Sequence, residues 1–218
     1  MTDLLPVHAQ LVMVGAGGHA RVLHALGNAA GHVWAGVCDP ELYRRGAATW
    51  HGLPVLGDDE ALSKLDPAYF SLVNGIGQIV GGTQRKDVYE RLRKLGLRFP
   101  ALIHPTAWVA DCTSLAEGVQ IMAGAIVQPG CVIGANTIIN TGASIDHDCK
   151  IGAHVHIAPG ATLCGDVTVA DGAFVGAGST LVPGVSVGKS AVVGAGTVLT
   201  KALDDGKKIV GGSARLLS

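Results

Sequence analysis

Apolar side chains in the second half of the chain recur at every sixth residue. Stepping by six from Ile103, through Ile121, Ile145 and Leu163, to Leu199 gives seventeen positions, all Ile, Leu or Val, with no insertion. The fourth residue after each anchor, from Ala107 through Cys131 and Cys149 to Thr197, is small or β-branched. A period of six fits neither an amphipathic helix nor simple strand alternation. It is the hexapeptide pattern of a parallel β-helix, in which each hexad is one short strand and a turn. Three hexads make an 18-residue coil, with the aliphatic anchor inside and the small residue at a tight corner. Coils stack at about 4.8 Å, and hexapeptide solenoids wind left-handed, against the usual right-handed crossover.

Residues 18 apart therefore stack, which places Cys131 over Cys149. That spacing suits a disulfide. The favoured reading is two small core residues in a reducing compartment.

The first hundred residues carry a different rhythm. Leu11 to Val22 reads as strand, glycine loop and helix, and a second strand, Val33–Cys38, ends at Asp39. Further strands are predicted at Pro54–Leu56, Ser71–Ile76 and Leu97–Ile103, and helices over 18–29, 58–65 and 82–95. This alternation predicts a parallel sheet. The expected fold is an α/β half-Rossmann domain over residues 1–102, then a left-handed parallel β-helix over 103–218 with a C-terminal tail.

Composition supports a narrow, aliphatic interior. Of 218 residues, 32 are glycine and 48% are apolar, yet Phe, Trp and Tyr number only three each. A mean hydropathy of +0.39 and 15% charged residues argue against disorder. The net charge of −1 gives no sign of a nucleic acid or anionic membrane partner. No apolar run approaches the roughly 18–20 residues of a membrane span. Met1–Pro6 lacks the basic start of a signal peptide. The five cysteines form no CxxC pair. A soluble cytoplasmic protein is expected.

Two stretches carry candidate chemistry. Gly15-x-Gly17-x-x-Ala20, with Asp39 about twenty residues on, matches a dinucleotide fingerprint. The glycines let the backbone approach a pyrophosphate at a helix N-terminus, and the acid accepts hydrogen bonds from a ribose or base. About a hundred residues is too short for a complete dinucleotide site with a substrate domain. A nucleotide or nucleotide-sugar site is therefore favoured over a redox cofactor.

The other stretch is Asn140–Cys149. His147 lies at a turn with Pro129 and Gly165 as its column neighbours, and the glycine leaves space beside the imidazole. Histidine is the natural general base near neutral pH, and Asp146 or Asp148 would orient it.

The whole set of motifs resembles the bacterial nucleotide-sugar acetyltransferases of the hexapeptide class. These include bacillosamine and perosamine N-acetyltransferases and the sialic acid O-acetyltransferase-like proteins. The resemblance rests on the Gly15–His19 loop, Asp39, Ile103-His104-Pro105-Thr106-Ala107, the hexads and the Asn140–Cys149 and His156–Ala161 stretches. It implies acetyl-CoA as co-substrate, no metal, and a homotrimer with active sites between subunits. It implies His147 as general base supported by Asp148. His156, Gly165, Ala177 and Ala195 would line the coenzyme, with Ala177 and Ala195 sharing one column. Gly15, Gly17, His19, Asp39 and Gly77 would hold the nucleotide sugar, and Asn140 would lie near the sugar.

The expected reaction is N-acetylation of the 4-amino group of a nucleotide-linked 4-amino-4,6-dideoxy sugar. Alternatives are O-acetylation of a sugar hydroxyl, a non-catalytic nucleotide-sugar-binding protein, and a zinc hydratase using His147, His154 and His156. The chain departs from the family in ending Gly211-Gly212-Ser213-Ala214-Arg215 rather than Gly-x-Pro-Ala, and in Gly77-Gln78-Ile79 where relatives carry Gly-Asx-Asn.

Overall fold

The computed structural model describes residues 10–211. The start Met1–Pro6 and the tail beyond Gly211 lie outside the described residues. The chain divides into two compact units. One holds the described residues up to Pro105 together with Ala116–Val119, and the other holds Thr106–Leu115 and the chain from Gln120 onward.

In the first unit, β1 (Gln10–Val14) leads through a glycine loop into α1 (Gly18–Ala29). Then follow β2 (Trp34–Cys38), α2 (Pro40–Arg44), β3 (Thr49–Trp50), β4 (Leu53–Gly57), α3 (Asp59–Ser63), β5 (Phe70–Asn74) and α4 (Gln84–Lys94). The sheet order is β3-β4-β2-β1-β5. All pairs are parallel except the β3–β4 hairpin. Leu11, Val12, Met13 and Val14 are all buried, as a central parallel strand covered on both faces requires. The chain runs outward from β1 to β4, then returns to the other side of β1 with β5. That reversal makes a topological switch point, and a crevice opens beyond the C-terminal ends of β1 and β5.

Several local expectations change. The short helix α2 adds to the expected elements. Asp39 caps it, accepting from the N–H groups of Glu41 and Leu42, and Pro40 opens its first turn. The expected strand over Leu97–Ile103 contracts to Leu102–Ile103. Leu97 and Phe99 are buried and Arg98 is exposed, so the alternation is real. It reflects an extended segment whose Phe99 N–H bonds the Glu117 carboxylate at 2.6 Å, with no full ladder.

The second unit is a left-handed parallel β-helix. Its two-residue strands stack in three sheets, each pairing residue i with i+18, as in Ile126↔Ser144, Val132↔Lys150 and Ile138↔His156. Every anchor from Ile121 to Leu199 is buried. The small residues four places on are buried too, from Val119 to Thr197. At each corner the third residue after the anchor, from Gly118 to Gly196, has positive φ. Most are glycine; Asn136, Asp148, His154, Asp166 and Ser190 are the exceptions. Asparagine, aspartate and histidine are the side-chain residues that tolerate this region best.

The small corner residues also donate hydrogen bonds. Cys131 Sγ donates to the Asp146 carbonyl at 3.0 Å, Thr137 Oγ1 to the Gly152 carbonyl at 2.8 Å and Cys149 Sγ to the Cys164 carbonyl at 3.3 Å. Both thiols are free, and burial pushes Cys149 up to about 12. Beyond Leu199 the period slips, because Val192 pairs with Lys208, sixteen residues on. No described helix is long and apolar enough to cross a membrane.

Leu163 is an interior anchor with no exposed surface. Leu163→Ala is expected to cost roughly 2–5 kcal/mol, by lost burial and the cavity left behind. A denaturant titration showing under about 1 kcal/mol would contradict an aliphatic stack packed to this density.

Candidate active site

His147 stands at the corner that follows strand Ser144–Ile145. Asp146 starts the turn, its Oδ1 accepting the His147 N–H at 2.8 Å. Asp148 takes the left-handed conformation, φ 61°, that closes the corner. The Asp148 Oδ2 lies 2.9 Å from His147 Nδ1. A carboxylate at Nδ1 holds the proton there and leaves the Nε2 lone pair free in the neutral ring. The Asp148 hydrogen bond, followed by the charge of Asp146, raises the histidine pKa.

Two glycines make room for this pair. A Cβ on Gly165 would stand 2.6 Å from both Cε1 and Nε2 of His147, so the ring occupies the space that a side chain there would fill. A Cβ on Gly130 would collide with the Asp148 carboxylate. Gly165 is among the residues expected at the site and Gly130 is not, although subtracting 18 from Asp148 finds it. The side chains of His147 and Asp148 are 61% and 67% exposed, so the base opens to any ligand at this edge.

The remaining β-helix candidates lie on a neighbouring edge. His156 is 8% exposed within its strand. Its ring stacks on Phe174 with centroids 4.8 Å apart, and its Nε2 lies 3.3 Å from Asn140 Nδ2. Ala177 and Ala195 are both exposed at that edge, one coil apart, and the Ala177 carbonyl accepts from Gly196 N–H at 2.8 Å. Within one chain, His147, Asp148 and Gly165 thus occupy one edge, and Asn140, His156, Ala177 and Ala195 occupy the next. Phe174 is a further member of this edge that the motifs do not reveal, though it is the residue 18 beyond His156.

The first unit holds a cleft of about 390 Å³ at the switch point, lined by Gly15, Gly17, His19, Asp39 and Gly77 among others. Gly15 has φ 85°, and a Cβ there would meet Ile76. Nothing lies within 4 Å of a Cβ built on Gly17, so its backbone is open to the cleft. As N-cap of α1, Gly17 supplies no capping side chain, and the first turn carries no acid. The helix thus turns its N-terminus, with its positive end, to the cleft, an anion-binding arrangement.

Asp39 is more occupied than the sequence suggests. Its Oδ1 caps α2 and its Oδ2 accepts Ala16 N–H at 3.0 Å. It therefore ties the glycine loop to β2, and of a carboxylate's roughly four acceptor positions about one remains for a ligand. Among the described residues, no group of three or more His, Cys, Asp and Glu is placed to hold a metal. His154, a member of the three-histidine alternative, lies with its Nδ1 3.0 Å from Asn136 Nδ2.

Comparison with known proteins adds to this geometry. Residues 10–92 match the PglD N-terminal domain family. Residues 112–147 and 130–165 match the bacterial transferase hexapeptide family, and residues 166–201 match the hexapeptide repeat of succinyl-transferase. The acetyltransferase domain of PglB from Neisseria gonorrhoeae is 33% identical, over 96% of this chain and 100% of that chain, with a TM-score of 0.86. PerB from Caulobacter crescentus, solved with CoA and GDP-perosamine, is 37% identical over 93% of this chain and 94% of that chain, with a TM-score of 0.85. WeeI from Acinetobacter baumannii shares the fold, at 24% identity over 96% of this chain and 100% of that chain, with a TM-score of 0.82. No curated protein sequence matches significantly.

Gly165 lies outside the left-handed region, and the nearest atoms that an added methyl would meet all belong to the His147 ring. Gly165→Ala is expected to displace the imidazole from Asp148 and lower its pKa toward the ordinary histidine value. Titration of the His147 ring protons by NMR checks this, and an unchanged pKa would contradict so close an approach of the ring to residue 165.

Proposed function

The chain belongs to the bacterial nucleotide-sugar acetyltransferase family of hexapeptide β-helix proteins, acetyl-CoA-dependent enzymes, and from that premise we propose that it N-acetylates the 4-amino group of a nucleotide-linked 4-amino-4,6-dideoxy sugar. The observation that carries the reading is the His147–Asp148 pair, with Nε2 exposed over Gly165.

His147 acts as general base. Its Nε2 takes the proton from the sugar amine as the nitrogen bonds to the acetyl carbonyl, and the coenzyme leaves as its thiolate. Asp148 stays ionised and steadies the imidazolium that forms. A backbone N–H at or near Gly165 donates to the developing oxyanion. Cys149, beside the candidate base in sequence, is no nucleophile, since it is buried and burial pushes its thiol up to about 12.

His156, Gly165, Ala177 and Ala195 line the coenzyme. The exposed alanine column leaves backbone open to an extended pantetheine arm. Asn140 faces the sugar. Gly15, Gly17, His19, Asp39 and Gly77 hold the nucleotide, with its phosphates at the α1 N-terminus.

The separation of these residues over two edges fits a homotrimer, in which edges of two copies border one groove. A cytoplasmic location fits a reaction between acetyl-CoA and a nucleotide sugar.

His147→Ala is expected to lower kcat by about 10²–10⁴-fold while acetyl-CoA still binds. Near-normal turnover would sink the assignment. A screen of nucleotide-linked amino and hydroxyl sugars, read by thiol release, separates N- from O-transfer. The pH profile gives a second check. The base works only when neutral, so the rate climbs as pH rises through the His147 pKa. Asp148 holds that pKa up. Asp148→Asn is therefore expected to shift the climb to lower pH as well as slow the reaction, and a shift to higher pH would count against His147 and Asp148 in these roles.

A further inference from the structure

Arg85 lies in the first turn of α4 and is 2% exposed. Its Nη1 donates to two main-chain carbonyls, Asn74 at 2.8 Å and Ile76 at 2.7 Å. Asn74 returns the contact. Its Nδ2 donates to the Arg85 carbonyl at 3.0 Å, and its Oδ1 accepts the Ile76 N–H at 3.2 Å. Four hydrogen bonds thus clamp the end of β5, the loop after it and the start of α4.

Burying a guanidinium is costly, and desolvation brings this one down to about 9. An apolar side chain of similar volume often serves stability as well or better. What the arginine adds is placement of two carbonyls by the two in-plane hydrogens of one guanidinium nitrogen, Nη1. The segments it joins are walls of the cleft, for Gly75, Ile76 and Gly77 line it from the loop, and Gln84 and Val88 from α4. The loop in turn bears on the phosphate side. Gly75 N–H bonds the Val14 carbonyl at 2.8 Å, and Ile76 Cγ1 sits 3.2 Å from where a Gly15 Cβ would be. A shift of this loop therefore carries to the glycine turn.

We infer that Arg85 is a positioning residue of the nucleotide site, holding the 75–77 loop and α4 at the spacing a nucleoside diphosphate requires. This role rests on the cleft being the nucleotide site, as proposed above.

The test compares Arg85→Lys, which keeps the charge and loses the planar guanidinium, with Arg85→Met, which loses both. Binding of UDP, GDP and dTDP to the full-length enzyme is measured by calorimetry, alongside steady-state kinetics. Both variants are expected to bind the accepted nucleotide about tenfold or more weakly. The KM for the nucleotide sugar should rise in step, with kcat and the KM for acetyl-CoA unmoved. Wild-type affinity in folded Arg85→Lys overturns the inference, as does a fall in kcat at unchanged KM. If the arginine variants fail to fold, Asn74→Ser removes the other half of the clamp and must weaken nucleotide binding likewise; unchanged affinity there overturns the inference. A wild-type enzyme that binds none of the three nucleotides overturns the cleft assignment itself, and the role of Arg85 with it.

Discussion

Main-chain hydrogen bonds between successive coils set the geometry of the β-helix and, through it, of the candidate catalytic edge. Gln128 N–H reaches the Ile145 carbonyl at 2.9 Å, Asp146 N–H the Leu163 carbonyl at 2.9 Å and Cys164 N–H the Leu181 carbonyl at 3.0 Å. Coils bonded this closely cannot slide past one another, so each residue is stacked on the one eighteen positions away. The interior left between three such sheets admits aliphatic chains and no rings. The corners admit only small residues on the inside and, at the turn itself, a left-handed residue. Asp148 meets that last demand. The conformation that closes the corner also carries its carboxylate to the His147 ring.

The two sites are held in different ways. In the β-helix, position comes from repetition, and the reactive side chain needs only vacant columns beside it, which Gly130 and Gly165 provide. In the first unit, position comes from side chains that brace loops. Asp39 joins the glycine turn to α2, and Arg85 joins the end of β5 to α4. Polar groups that read as ligand contacts in a sequence are here partly spent on the backbone that forms the site.

Legibility from sequence follows the same division. An aliphatic period repeated seventeen times leaves little doubt about a coil, and the eighteen-residue column rule alone puts Gly165 over His147. The same arithmetic reaches Gly130 and Phe174, but neither carries reactive chemistry of its own to prompt it. The half-Rossmann strands are visible as apolar runs. Helix α2 is hidden because Asp39-Pro40 serves two purposes, and its capping role is masked by its fit to a ligand acid. The strand over Leu97–Ile103 reads too long because alternating burial marks an extended chain whether or not a neighbour pairs with it. The shortened last coil gives no signal, since the anchors end at Leu199.

The fixed coil length also governs how such a chain changes by insertion and deletion. Gain or loss of one complete coil lengthens or shortens the stack by a single strand spacing, about 4.8 Å, and leaves every column intact. Any other change within the ladder turns all later residues onto the wrong edge, unless it is extruded as a loop at a corner. Drift in length is therefore quantised in steps of eighteen. In the described β-helix the step that departs from this rule, sixteen residues to Lys208, comes after Ala195, where no candidate site residue remains to be displaced.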